Sequence, residues 1–230
     1  MKEEYPIHEA ARDGNLAKVQ ELLHVQPKYC LIQDLDGRYP LHWAISFQHV
    51  KIVELLLSFM KDVDLDHLAD DAGWTPVHIT SAVGNKEILA MLLNHSVKPD
   101  PNVKTNQGVT ALHLACSKQH LDIAEVLIEH GASTRCKDSR QQLPLHRAAS
   151  VGSLPLTKLL CDNNSPVNSK DIQGWTPLFH ALAEGQGDVA VMLVTDYGAD
   201  YDSVQDNTDK KPLDVVVDDK VKQFFLKNVQ

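Results

Sequence analysis

One four-residue block returns along this chain at nearly constant intervals, and no other feature limits the fold as tightly. Its fullest form is Thr75-Pro76-Val77-His78, inside Gly73-Trp74-Thr75-Pro76-Val77-His78-Ile79-Thr80. It recurs as Tyr5-Pro6-Ile7-His8, Tyr39-Pro40-Leu41-His42, Thr110-Ala111-Leu112-His113, Leu143-Pro144-Leu145-His146, Thr176-Pro177-Leu178-Phe179 and Lys211-Pro212-Leu213-Asp214. Successive starts lie 34, 36, 35, 33, 33 and 35 residues apart. Such spacing uses all 230 residues, so each copy marks one unit that buries its apolar stripe against its neighbours.

The block has a mechanical reading. Thr caps a helix start with its hydroxyl, and Pro is preformed for the first helical turn, where its missing N–H costs nothing. Leu points into the core, and the His ring bonds back to the cap and ties the loop to the helix. A turn follows at Gly14-Asn15, Gln48-His49, Gly84-Asn85, Gln119-His120, Gly152-Ser153 and Gly185-Gln186. A second helix then carries apolar residues at helical spacing, as in Val53, Leu56, Leu57 or Ile123, Val126, Leu127. Period and block together resemble the ankyrin repeat. The fold expected is an all-α ankyrin-repeat solenoid of seven helix-turn-helix repeats with β-turn fingers. It is read as one domain over 1–230, with repeats at about 1–34, 35–70, 71–104, 105–137, 138–170, 171–205 and 206–230.

Composition removes several functions. The start Met1-Lys2-Glu3-Glu4 is charged and no apolar run follows it, so no secretory signal is expected. No stretch approaches the roughly 20 apolar residues of a membrane span. The four cysteines (Cys30, Cys116, Cys136, Cys161) share no CxxC spacing and read as free thiols of a cytoplasmic and nuclear protein. A net charge of −9 argues against nucleic acid or an anionic membrane as partner. Residues 1–103 carry nine Lys/Arg against fifteen Asp/Glu, residues 104–170 eight against five, and residues 171–230 five against eleven. That alternation is either ordinary fluctuation between repeats or the complement of a bipolar partner, for which it sets register and on-rate.

No reaction chemistry is expected, and no cofactor. His8, His42, His78, His113 and His146 belong to the repeat itself. His113-x-x-Cys116-x-x-x-His120 has a superficial zinc spacing, but Cys116 falls on the packed side of its helix and no fourth ligand is near in sequence. Asp62-x-Asp64-x-Asp66 begins like a calcium loop, then has His67 where the sharp turn needs Gly. There is no phosphate loop, no nucleophile elbow and no HExxH. A repeat stack offers a shallow groove rather than a closed pocket, so neither a catalytic site nor a metal site is assigned.

Three stretches depart from the pattern. Val97-Lys98-Pro99-Asp100-Pro101 lengthens the third repeat and reads as a protruding loop. The fifth repeat has Gln141 where the finger glycine stands elsewhere, so its finger is expected to be less regular. Eight aspartates lie between 196 and 219, read as a solvated face or as a docking site for a basic segment.

What the stack displays is a concave face of finger tips and first-helix ends. The slots there fall on Arg12, Asp13, Leu35, Asp36, Arg38, Phe47, Asp71, Trp74 and Val83. Further along they fall on Asn106, Lys118, Arg140, Gln142, Val151, Gln173, Trp175 and Glu184. Trp and Arg dominate interface energetics, which marks Trp74, Trp175, Arg38 and Arg140, with Phe47 as a further aromatic. Each Trp before Thr-Pro has a second reading, packing over the next finger. Trp43 is expected to pack between repeats.

Asp36-Gly37-Arg38-Tyr39-Pro40-Leu41-His42-Trp43-Ala44, Asp70-Asp71-Ala72-Gly73-Trp74-Thr75-Pro76, Leu145-His146-Arg147-Ala148-Ala149 and Gly174-Trp175-Thr176-Pro177-Leu178-Phe179-His180-Ala181 resemble the gankyrin family, its fungal members most. The resemblance covers all seven repeats. It implies a non-enzymatic chaperone of proteasome regulatory-particle assembly, a monomer on its own, that clasps the C-terminal domain of one AAA ATPase subunit of the base. The family's acidic and basic contacts match Asp36, Arg38 and Asp71, and a further basic contact corresponds to Lys118 or Lys137. The family's Leu-x-Cys-x-Glu motif is not transferred, because Leu114-Ala115-Cys116-Ser117-Lys118 and Leu159-Leu160-Cys161-Asp162-Asn163 lack the Glu. The alternative reading is an ankyrin inhibitor of a kinase or other signalling protein.

Overall fold

The computed structural model describes residues 5–229, and the charged Met1-Lys2-Glu3-Glu4 start lies outside them. Among the described residues there are α-helices and short 3₁₀ turns and no strand. None of the helices is long and apolar enough to cross a membrane. The chain falls into two compact units, divided between Asn106 and Gln107.

In the first unit, helix pairs follow one another as α1 (Pro6–Arg12) with α2 (Leu16–Val25), α3 (Pro40–Ser46) with α4 (Val50–Ser58), and α5 (Pro76–Val83) with α6 (Lys86–Leu93). The second unit holds α7 (Ala111–Ser117) with α8 (Leu121–Glu129), α9 (Pro144–Ser150) with α10 (Leu154–Asp162), α11 (Pro177–Ala183) with α12 (Gly187–Thr195), and α13 (Asp219–Asn228). Within each unit first helices pack on first helices and second on second, as α1 on α3 on α5 and α7 on α9 on α11. Close approach is possible because a small, fully buried residue stands two positions past the block: Ala44, Thr80, Ala115, Ala148 and Ala181. Thr80 would bury a hydroxyl there, and donates it to the Pro76 carbonyl at 2.8 Å. The second helices supply the rest of the core, with Val53, Leu56, Ile88, Leu92, Ile123, Leu127, Leu156, Leu160 and Leu193 all buried.

The histidines act as expected and reach further. Nδ1 of His78 accepts the Thr75 N–H at 3.2 Å and lies 2.8 Å from its hydroxyl, and His113 repeats both distances with Thr110. Their Nε2 atoms reach the stem of the next finger, at Val103 O (3.1 Å) and Gln142 O (2.9 Å). His42 spans Tyr39 and Leu68 in the same manner, and His146 spans Leu143 and Ser169. Each ring therefore ties its own helix start to the stem of the following finger. A ring that donates from Nε2 and accepts at Nδ1 must be neutral. Burial enforces this, lowering the pKa of His42 and of His146 to about 4.

The glutamines at turns take the glycine conformation: Gln48, Gln119 and Gln141 have φ of 58°, 61° and 60°. This corrects the expectation for the fifth finger. Gln141 N donates to Asp138 O at 2.9 Å and Asp138 N to Gln142 O at 3.0 Å, as Gly73 and Asp70 do in the third finger. The glycine is dispensable because the turn's other bonds hold the backbone.

Two further expectations are corrected. The Val97–Pro101 stretch is held down: Pro99 and Pro101 are buried, and Asp100 N donates to Asp66 Oδ2 at 2.8 Å. The calcium-like run serves this same loop, with Asp64 accepting from Asp66 N and paired to His67. The seventh repeat lacks a first α-helix and has only a 3₁₀ turn, Pro212–Asp214. Asp214 replaces His on the cap N–H of Lys211 (2.8 Å), but β-branched Val215-Val216-Val217 follow and Asp218 caps α13 at once.

Candidate protein-binding site

The fingers carry the candidate residues, and an aspartate stands at the base of all but the fourth, where the chain has Thr105. Oδ1 of Asp34, Asp70, Asp138, Asp171 and Asp206 accepts two backbone N–H groups of its own turn, at 2.7–3.0 Å. Oδ2 then ties a side chain. It takes the Trp43 indole on Asp34 (2.7 Å), Arg38 on Asp70 (3.4 Å), Arg147 on Asp138 (2.7 Å), Gln142 and His180 on Asp171 (both 3.0 Å), and the Trp175 indole on Asp206 (3.0 Å). Burial pushes Asp34 and Asp171 upward, but the donors they accept outweigh it and hold both below the usual carboxylate range. This role was missed above, although its signal is in the chain as Asp-x-x-Gly before Arg38, Trp74 and Trp175.

Adjacent fingers are joined by backbone bonds, Asp71 N to Asp36 O (3.1 Å) and Asn106 N to Ala72 O (3.1 Å) in the first unit. The second unit repeats the pattern from Ser139 N to Gln107 O (2.9 Å), Ile172 N to Arg140 O (3.0 Å) and Asn207 N to Gln173 O (3.0 Å). A row of tips held this way presents its side chains without loop entropy to lose on binding.

In the first unit, Asp36 and Asp71 are exposed, and among the described residues neither carboxylate forms an ion pair. Arg38 is half-buried, bonded to Asp70 and lying over the Trp43 ring at 5.3 Å. Trp43 stacks on Phe47 (6.4 Å, 23°), and Phe47 is 52% exposed at the end of α3. With its indole held by Asp34, Trp43 thus joins the finger base to the Arg38–Phe47 row. Trp74 is half-buried beside His78 (6.4 Å).

In the second unit, Lys118 and Glu184 are exposed at the ends of α7 and α11, and Arg140 is exposed on its finger. Lys137 is half-buried and donates to Lys170 O (3.2 Å). Trp175 packs over the next finger, with its ring stacked on Phe179 (5.8 Å, 23°) and its N–H on Asp206. One slot is corrected: Gln142 is buried, and its amide donates to Asp171 rather than facing solvent. The aspartate-rich stretch is partly consumed by local structure, since Asp200, Asp206, Asp214 and Asp218 accept backbone N–H groups.

Among the described residues no group of three His, Cys, Asp or Glu side chains is placed to hold a metal. Cys116 is fully buried, its thiol pushed far above its ordinary value by desolvation, and burial with Asp162 pushes Cys161 up to about 12. What the faces offer is aromatic area and charge on rigid backbone.

The family description "Ankyrin repeats" matches in three copies, over residues 2–67, 59–138 and 132–205. The chain is 56% identical over 226 residues to "Probable 26S proteasome regulatory subunit p28" of Saccharomyces cerevisiae, covering 98% of this chain and 99% of that one. It is 36% identical over 98 residues to human "Ankyrin repeat and SOCS box protein 3", covering 42% of this chain and 18% of that one. Among solved structures, the ankyrin repeat domain of Bcl-3 superposes with a TM-score of 0.79 at 25% identity, covering 98% of this chain and 100% of that one. The chain belongs to the ankyrin-repeat family and, within it, to the gankyrin family represented in yeast by the regulatory subunit p28.

Proposed function

We propose that this protein is a non-enzymatic chaperone or adaptor for assembly of the 26S proteasome regulatory particle, and that it binds the C-terminal domain of one base ATPase subunit. The observation that carries this reading is the 56% identity to the yeast regulatory subunit over nearly the full length of both chains. The faces described above support it. Asp36 and Asp71 offer exposed charge that forms no ion pair among the described residues, the Arg38–Trp43–Phe47 row offers aromatic area, and Lys118 and Arg140 offer the opposite sign. Aromatic anchors give affinity while charge pairs select register. Free thiols fit a reducing compartment, and we place the protein in the cytoplasm and nucleus, monomeric until it meets its partner.

The test is calorimetric titration of the protein with the isolated C-terminal domain of each base ATPase subunit. One domain should bind at one-to-one stoichiometry, more weakly as salt is raised. Asp36→Lys with Asp71→Lys should weaken that binding by about thirtyfold or more and leave the unfolding midpoint in place. Failure of every domain to bind the wild-type chain would refute the proposal.

A further inference from the structure

We propose that the cleft between the sixth and seventh fingers is a subsite for a lysine or arginine side chain of the bound protein. The bound protein's identity rests on the reading just given; the chemistry of the subsite does not. The cleft has a volume of about 390 Å³, at the lower end of the range for ligand sites, and lies wholly within the second unit. Ile172, Trp175, Asp206, Lys210 and Val215 line it.

Three of the lining residues are held before anything binds. The Ile172 amide is held by Arg140 O at 3.0 Å, while its side chain stands 56% exposed, an apolar group kept in water. Trp175 cannot turn, being stacked on Phe179 and bonded to Asp206. Asp206 Oδ1 accepts from Thr208 N, Thr208 Oγ1 and Lys210 N, whereas among the described residues Oδ2 takes only the indole and keeps acceptor capacity. Desolvation opposes its charge, but these donors prevail and lower its pKa to about 2, so it stays ionised.

An apolar wall, an indole and a carboxylate in one cleft match a cation on an alkyl stem. The stem lies against Ile172 and Val215, and the charge meets Asp206 and the Trp175 ring. The surroundings agree in sign, since residues 196–219 hold eight aspartates and two lysines. Lys210 is the opposing cation in the lining, and it limits the affinity.

The test follows the Trp175 indole N–H signal by NMR in the full chain. The signal is assigned with Trp175→Phe, and the probes are N-acetyl-leucyl-arginine amide and its glutamate counterpart. The arginine peptide should shift that signal saturably and leave those of Trp43 and Trp74 in place, while the glutamate peptide should not. Ile172→Ser should weaken the arginine peptide by about tenfold and Lys210→Glu should tighten it severalfold, on the order of ~3. Both side chains are exposed, so folding is preserved. No saturable shift, equal response to both peptides, or no gain from Lys210→Glu would overturn the subsite. The ATPase domain separates the two claims. If it binds wild type and Ile172→Ser equally but not the Asp36→Lys, Asp71→Lys chain, the subsite falls and the proposed function stands. If it does not bind wild type, the proposed function falls and the peptide titration alone decides the cleft.

Discussion

Phe179 stands where the third and fourth repeats place the histidine that receives the cap hydroxyl, and the buried Oγ1 of Thr176 is left without a hydrogen-bond partner among the described residues. In the same unit Thr110 has its partner, His113 Nδ1, at 2.8 Å. Replacing both threonines by the isosteric valine separates the two cases. Thr110→Val should cost about 1–2 kcal/mol, whereas Thr176→Val should be neutral or stabilise by up to about 1 kcal/mol. Urea denaturation of the two variants measures the contrast.

Acid should destabilise the protein well above the range where carboxylates titrate. His42 and His146 have folded pKa values of about 4 against 6.5 unfolded, so between these limits the unfolded chain binds more protons. The contribution of each ring, on the order of 3 kcal/mol, is whole above about pH 6.5 and is lost as pH falls toward 4. Asp34 and Asp171, with lowered pKa values, add a further loss below that range. Unfolding free energies at pH 7, 5.5 and 4.5 should decline in that order; a flat profile from 7 to 4.5 contradicts the neutral-ring bonding.

Gln141 holds φ 60° at a finger position where glycine serves elsewhere. Gln141→Gly should therefore raise stability by up to about 1 kcal/mol, the left-handed strain of an L side chain less the entropy cost of glycine. The reverse change at Gly174 should be harmful, because a Cβ there would meet Asn207 N at 2.9 Å. Thermal unfolding of Gln141→Gly and Gly174→Ala should shift in opposite directions.

Thiol reactivity should report the packing. Cys30 and Cys116 are buried and burial raises both thiols, so neither should alkylate until the chain unfolds. Cys161 should be slow, being half-buried with a pKa of about 12. Iodoacetamide labelling read by peptide mass should therefore mark Cys136 first in the native protein.

The repeat fold was legible because the block states its own bonding: Pro40 and His42 declare a helix start as plainly as Thr75 and His78. Display positions were legible where a slot is set by the repeat, as at Asp36, Phe47 and Arg140. Three-dimensional partners were not. Gln142 looks like a tip residue until Asp171 and His180, 29 and 38 positions away, take its amide inward. The Pro99–Pro101 loop looks free until Asp66 binds it. Trp175 had two readings because an indole on a neighbouring finger still leaves one edge on a cleft.

The central claim is that the finger tips and first helices, not the second helices, grip the partner. Hydrogen exchange on the protein alone and bound to the ATPase C-terminal domain tests it most directly. The account predicts slowed exchange at Asp36, Asp71, Arg140 and Ile172 and at the ends of α3 and α11, with α4, α8 and α12 unchanged. Protection on α4, α8 and α12, with the fingers exchanging as in the free protein, would contradict it.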